Sequence, residues 1–202
     1  MTVVIGITGG IASGKSTVVS ILKDMNFPII DADVIAREVV MVGEEAYEKI
    51  VEHFGPSILH EDQTINRGKL GEIVFNNEKE RLALNAIVHP AVRKRMNEQK
   101  KHYLEAREKA IFLDIPLLFE SKLTYMVEKI LLVYVDEKTQ IKRLMARDNF
   151  SKEQAMSRIS SQMSLKDKKQ LSDAVINNNG TKEETRAQLI DILQSWGILD
   201  EK

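Results

Sequence analysis

Apolar residues in this chain follow two rhythms: short unbroken runs, and longer stretches in which they recur every three or four positions. The runs are Val3-Val4-Ile5-Gly6-Ile7, Phe27-Pro28-Ile29-Ile30, Ala110 to Ile115, Lys129 to Asp136 and Ala174-Val175-Ile176-Asn177. Unbroken runs of this length predict strands covered on both faces. Helical periodicity marks residues 15–25, 34–41, 44–54 and 78–88, with Asn26 and Gly55 as stops. Pro90, just after His89, predicts the first turn of a separate, charged helix reaching about Arg107. A helix carrying Lys142, Arg143 and Arg147 follows the fourth run. Capping boxes at Ser151–Gln154 and Thr181–Glu184 open two more, the last ending near Trp196 and Gly197. The alternation predicts an α/β fold, a parallel sheet with helices on both faces. The helices between the second and third runs exceed a minimal crossover, so residues 34–109 are expected to form an inserted helical lobe. Residues 1–33, 110–136 and 170–202 are then the core, and residues 137–169 a helical lid.

The first run leads into Gly9-Gly10-Ile11-Ala12-Ser13-Gly14-Lys15-Ser16-Thr17. Gly9 to Ser16 fits G-x-x-x-x-G-K-[ST] in its required setting of strand, loop and helix. The glycines let the backbone turn tightly and bring its N–H groups against a polyphosphate. The helix start adds unpaired N–H groups and the positive end of its dipole. Gly10, Ile11, Ala12, Ser13, Gly14, Lys15, Ser16 and Thr17 are therefore the expected nucleoside triphosphate contacts. Lys15 is placed for the β/γ-phosphates, and the Ser16 hydroxyl for Mg²⁺. Asp31 and Asp33 follow the second run, at the sheet edge where open α/β sheets bind ligands.

Composition narrows the setting. Twenty-nine basic against thirty acidic residues give a net charge of −1, which offers no general attraction to nucleic acid or an anionic membrane. The absence of cysteine excludes disulfides, thiolate catalysis and Cys-ligated zinc. No run approaches the roughly 18 apolar residues of a membrane span, and the first residues lack a signal-peptide layout. A cytoplasmic location is expected; the oligomeric state is left open.

A phosphate loop alone leaves three classes: a small-molecule kinase, a nucleotide switch, and a mechanical or transport ATPase. Asn-Lys-x-Asp and Asp-x-x-Gly, expected of a guanine-reading switch, are missing, as is the Leu-Ser-Gly-Gly of transport ATPases. A kinase needs an acceptor lobe, a base, and arginines on a lid, and the chain offers candidates for each. Thr8 to Thr17, Asp31-Ala32-Asp33, His89-Pro90, Pro116-Leu117-Leu118-Phe119-Glu120, Gln140 to Asp148 and the Asn177 to Gly180 turn together resemble the dephospho-coenzyme A kinase family. The resemblance spans nearly the whole chain in order. It implies Mg²⁺-dependent transfer from ATP to the ribose 3′-hydroxyl of dephospho-coenzyme A, the last step of coenzyme A biosynthesis; another small-molecule or nucleotide kinase is the alternative. Ala12 departs from it, since many relatives carry Gly there; Ala suits the loop only if that residue need not adopt positive φ.

For single residues the bland readings stand beside the functional ones. Asp33 is either the base that takes the hydroxyl proton or the N-cap of the next helix; the resemblance points to the base, with Asp31 a supporting neighbour. Asp114 ends a strand and is a candidate for the metal shell or a loop aspartate. Arg143 and Arg147 share a helix face, which by spacing alone reads as solvated. The resemblance makes Arg143 a clamp on ATP and the transferring phosphoryl group, and Arg147 an acceptor contact. It also places Asn177 at ATP, and Thr8, Asp33, His89, Pro116 and Glu120 at the acceptor.

Overall fold

The computed structural model describes residues 2–200; residues 1, 201 and 202, at the ends of the expected core, lie outside them. The chain runs through β1 (Val3–Gly9), α1 (Lys15–Asp24), β2 (Ile29–Asp31), α2 (Ala32–Glu38), α3 (Glu45–Phe54), α4 (Arg67–Asn76) and α5 (Glu78–Glu105). It continues through β3 (Ala110–Asp114), β4 (Lys129–Tyr134), α6 (Glu137–Asp148), α7 (Lys152–Ser160), α8 (Leu165–Gln170), β5 (Ala174–Asn177) and α9 (Lys182–Ser195). Among the described residues the strands form one five-stranded sheet in the order β2-β3-β1-β4-β5. β1 runs parallel to β3 and to β4, and β4 to β5.

The parallel sheet with helices on both faces follows from what alternate strand residues bury. Ile5, Ile7, Phe112, Leu131 and Val133 pack on Val18, Ile21 and Leu22 of α1 and on Leu189 and Leu193 of α9. Leu132, one residue out of phase, packs instead with Leu165 of α8. Every residue of β3 is buried, which is why the strand reads as an unbroken apolar run.

The fold divides into two compact units, one containing residues up to Ile30 and from Tyr103 onward, the other Asp31–His102. The second unit has its own core of Ile50, Ile58 and Leu70, with Ile73, Val74, Leu84, Ile87 and Val88 against it. Two sequence expectations fail inside this unit. No break occurs at His89–Pro90: α5 is one 28-residue helix with Pro90 inside it. Proline in a helix interior costs about 3 kcal/mol; here Ile87 and Val88, just before it, are tied to the unit's core and Met96, beyond it, is fully buried, so packing carries the helix through. The other failure is α4, not expected from periodicity. Gly68 and Gly71 dilute its pattern, but Asn66 caps it by accepting from the Lys69 N–H at 3.0 Å and Leu70 anchors it.

Candidate active site

β1 ends at Gly9, and the loop closes on itself where the Ser13 N–H donates to the Gly10 carbonyl at 3.1 Å. Gly14 is the N-cap of α1 at φ 83°, and no side chain caps the helix. The Lys15 and Ser16 N–H groups are thus left for an anion, while that of Thr17 already donates to the Gly14 carbonyl at 2.9 Å. Ala12 adopts φ 58°. Alanine does occupy a left-handed position here, at a cost of about 1–2 kcal/mol, which Gly would avoid.

Side chains from distant segments hold this loop from outside. Gln162 accepts the Ile11 N–H at 3.0 Å, and Gln140 donates from Nε2 to the Ile11 carbonyl at 2.8 Å. Asn178 donates from Nδ2 to the Ser13 carbonyl at 2.9 Å, while its own Oδ1 accepts from the Thr185 hydroxyl at 2.7 Å. These partners explain the glycines as much as any ligand does. A Cβ on Gly10 would lie 2.7 Å from Gln140 Nε2, and one on Gly14 would run into Asn178 Nδ2. The Ile11 N–H is occupied by Gln162, so Ile11 offers a ligand its surface rather than its amide.

Lys15 forms an ion pair with Asp114, at the end of β3; both side chains are largely buried. Ser16 is exposed at the start of α1. Arg143 on α6 donates from Nη2 to the Asn178 carbonyl at 2.9 Å. Its other terminal nitrogen lies 3.5 Å from where a Gly14 Cβ would sit, so the guanidinium stands beside the loop. Arg147 is turned to solvent and makes a bidentate pair with Asp148 at 2.8 and 2.9 Å. That bond raises the Arg147 pKa and holds the Asp148 carboxyl below its usual value. The Thr8 hydroxyl donates to the Pro116 carbonyl at 2.9 Å, and Glu120 accepts the Met163 N–H at 3.0 Å. Asn177 is exposed and binds Asn179 and Gln188; the residue that reaches the phosphate loop is Asn178.

In the second unit Asp31, not Asp33, caps α2: its Oδ1 accepts the Asp33 and Val34 N–H groups at 2.9 and 3.0 Å. This overturns the capping alternative for Asp33, which lies exposed in the first helical turn, its carboxylate without a partner among the described residues. His89 is exposed in the middle of α5, not at a helix start. A groove of about 1050 Å³ lies in this unit, lined by Arg37, His60 and Arg67 together with Val40, Met41 and Ile65. Among the described residues no cluster of three His, Asp or Glu side chains could hold a metal ion, and no helix is long and apolar enough to cross a membrane.

A parallel sheet whose first strand feeds an uncapped phosphate loop, with a lysine at the loop and an arginine beside it, defines an ATP-using phosphotransferase of the P-loop class. The dephospho-CoA kinase family matches residues 3–184, and the chain belongs to that family. A dephospho-CoA kinase of Bacillus cereus is 57% identical over 200 residues, 99% of this chain and all of the relative. Among solved structures, one from Thermus thermophilus superposes with a TM-score of 0.82 at 30% identity, covering 96% of this chain and 97% of its own. A dephospho-CoA kinase from Campylobacter jejuni superposes with a TM-score of 0.75 at 33% identity, covering 97% and 98%. The chain is a kinase.

Sequence reading missed four polar anchors of the loop: Gln140, Gln162, Asn178, and Lys168, whose buried Nζ donates to the Gly9 carbonyl at 2.9 Å. Asn178 could have been found from strand parity: Ile176 is buried, so the residue two positions on lies on the same side. Gln140, Gln162 and Lys168 carry no such signal, because polar residues in helical stretches read as solvated.

Proposed function

We propose that the chain transfers the γ-phosphoryl group of ATP to the ribose 3′-hydroxyl of dephospho-coenzyme A, giving coenzyme A and ADP in the cytoplasm. The observation that carries this reading is the braced phosphate loop with Lys15 and Arg143, in a chain matched by one kinase family over residues 3–184. On nucleotide binding, Lys15 exchanges Asp114 for the β/γ-phosphates, and the backbone N–H groups of Gly14, Lys15 and Ser16 take the remaining oxygens. Arg143 neutralises charge that develops as the phosphoryl group moves.

A sugar hydroxyl does not ionise at neutral pH, so a carboxylate must take its proton. Asp33 is that base: it is exposed and uncommitted, the capping work falling to Asp31. The donor set suits Mg²⁺ held by the Ser16 hydroxyl, waters and phosphate oxygens rather than by a carboxylate cage. An ion held there would supply positive charge against the phosphate oxygens. The groove with Arg37, Arg67 and His60 beside Val40, Met41 and Ile65 suits an acceptor with both phosphates and an apolar arm, which supports residues 34–109 as the acceptor lobe. His89 and Arg147 offer exposed cationic or polar side chains to it. Thr8, Pro116 and Glu120 offer an acceptor no free donor, since the Thr8 hydroxyl is bonded to the Pro116 carbonyl and both Pro116 and Glu120 are held by Lys168 of α8. Any lid movement within residues 137–169 falls to α7, because α6, Gln162 and α8 are bonded to the loop.

The test is to offer ATP with dephospho-coenzyme A, AMP, adenosine, shikimate or gluconate and to follow ADP. Dephospho-coenzyme A should be far the best acceptor; a preference for AMP would reassign the chain to the nucleotide kinases.

A further inference from the structure

We propose that Lys168 is a positioning residue for phosphoryl transfer, its buried ammonium fixing the peptide at which β1 passes into the phosphate loop. The inference rests on the kinase reading above and deepens it.

Lys168 lies on α8 and is 0% exposed. Lysine is almost never fully buried unless it is paired. Its Nζ sits 2.9 Å from the Gly9 carbonyl and 3.3 Å from the Pro116 carbonyl, and 3.0 Å from Glu120 Oε1. Three acceptors meet the three N–H donors of an ammonium, so its position is over-determined. Gly9 is the last residue of β1 and the first of the loop. Pro116 follows β3 two residues after Asp114, the partner of Lys15. One ammonium therefore ties together the exits of β1, which leads into the loop before Lys15, and of β3, which ends at its partner Asp114. The Thr8 hydroxyl, on the same Pro116 carbonyl, closes the knot.

The same segment grips the loop twice. Glu120 Oε1, besides pairing with Lys168, accepts the N–H of Met163, whose neighbour Gln162 holds the Ile11 N–H. Glu120 Oε2 is buried and unbonded, so the carboxylate is committed to this pair at a cost in desolvation. A well-packed apolar pair at such a place is often as stable as an ion pair or more so. Stability alone does not call for a charge here; directional bonds on the Gly9 carbonyl do. A shift of about 1 Å in a reacting group can cost about 100-fold in rate.

The test compares Lys168→Met, Lys168→Gln and the double variant Lys168→Met/Glu120→Gln with the wild type. Turnover per folded protein and both KM values are measured well below each melting temperature. Lys168→Met leaves Glu120 buried without its cation and should melt lowest. The double variant removes that charge and should recover much of the lost melting temperature. Its kcat should nevertheless stay about 10- to 100-fold down, while Lys168→Gln, which keeps Glu120, should hold the acceptor KM within about threefold, since binding in the second unit does not depend on Gly9. Lys168→Gln keeps a donor and should lie between the two in kcat. A folded double variant that turns over within about threefold of wild type would refute the positioning role. So would variants whose loss tracks only their unfolded fraction, Lys168→Gln serving for this comparison if neither methionine variant folds. Wild-type protein inactive on dephospho-coenzyme A would overturn the proposed acceptor instead; calorimetry of ADP binding to the same variants then tests Lys168, and unchanged affinity and enthalpy would refute it.

Discussion

Replacing Gly14 by Ala tests how the phosphate loop is held. Gly14 sits at φ 83°, and a Cβ there runs into the Nδ2 of Asn178. A left-handed Ala costs about 1–2 kcal/mol. Moving Asn178 aside also breaks its bond to the Ser13 carbonyl, worth about 0.5–1.5 kcal/mol. The total is about 1.5–3.5 kcal/mol, or a melting temperature lower by about 3–14 °C for a chain of this size. Asn178 also anchors Arg143 through its carbonyl, so turnover should fall more than stability alone predicts. Thermal melts and steady-state kinetics of Gly14→Ala, Asn178→Ala and the double variant form a cycle. Because Asn178→Ala removes the obstructing amide, the two changes should couple by at least about 0.5 kcal/mol. A cost below about 1 kcal/mol with no coupling would refute the view that Asn178 fixes the loop.

Asp33→Asn should keep the wild-type melting temperature while turnover drops about 10²–10⁴-fold, roughly 3–5 kcal/mol of barrier. Asp31→Ala should show the converse, losing a cap worth about 0.5–2 kcal/mol; if Asp33→Asn turns over within a fewfold of wild type, the base lies elsewhere. Lys15→Ala should weaken both ATP binding and turnover, each by about 10- to 150-fold if a charge-assisted bond of about 1.5–3 kcal/mol is lost, and unaltered titration of ATP would sink the loop assignment. Ala12→Gly should raise stability by about 0.5–1 kcal/mol, the relief of left-handed strain less the extra freedom of the unfolded glycine; a lowered melting temperature would contradict the φ of 58° at this residue.

The parts legible in the sequence are those that local chemistry specifies. Buried parallel strands read as apolar runs because both faces are covered, and the phosphate loop reads from its spacing because tight turns and backbone donors need Gly, Lys and Ser at fixed offsets. Both capping boxes were legible for the same reason, since donor and acceptor lie three residues apart. What holds the loop lies far away in the chain. Gln140, Gln162, Lys168 and Asn178 reach it across 129, 151, 159 and 165 residues, and no local period announces a polar side chain that will be buried. Even nearby choices needed coordinates. Asp31 rather than Asp33 caps α2 because the extended backbone at Asp31, φ −95° and ψ 111°, aims its carboxylate at the first helical N–H groups. Pro90 stays inside α5 because packing on either side outweighs its missing hydrogen bond. Sequence thus determined which backbone would bind phosphate, whereas the tertiary structure decided which side chains hold it in place, because that depends on which distant segments the sheet brings together.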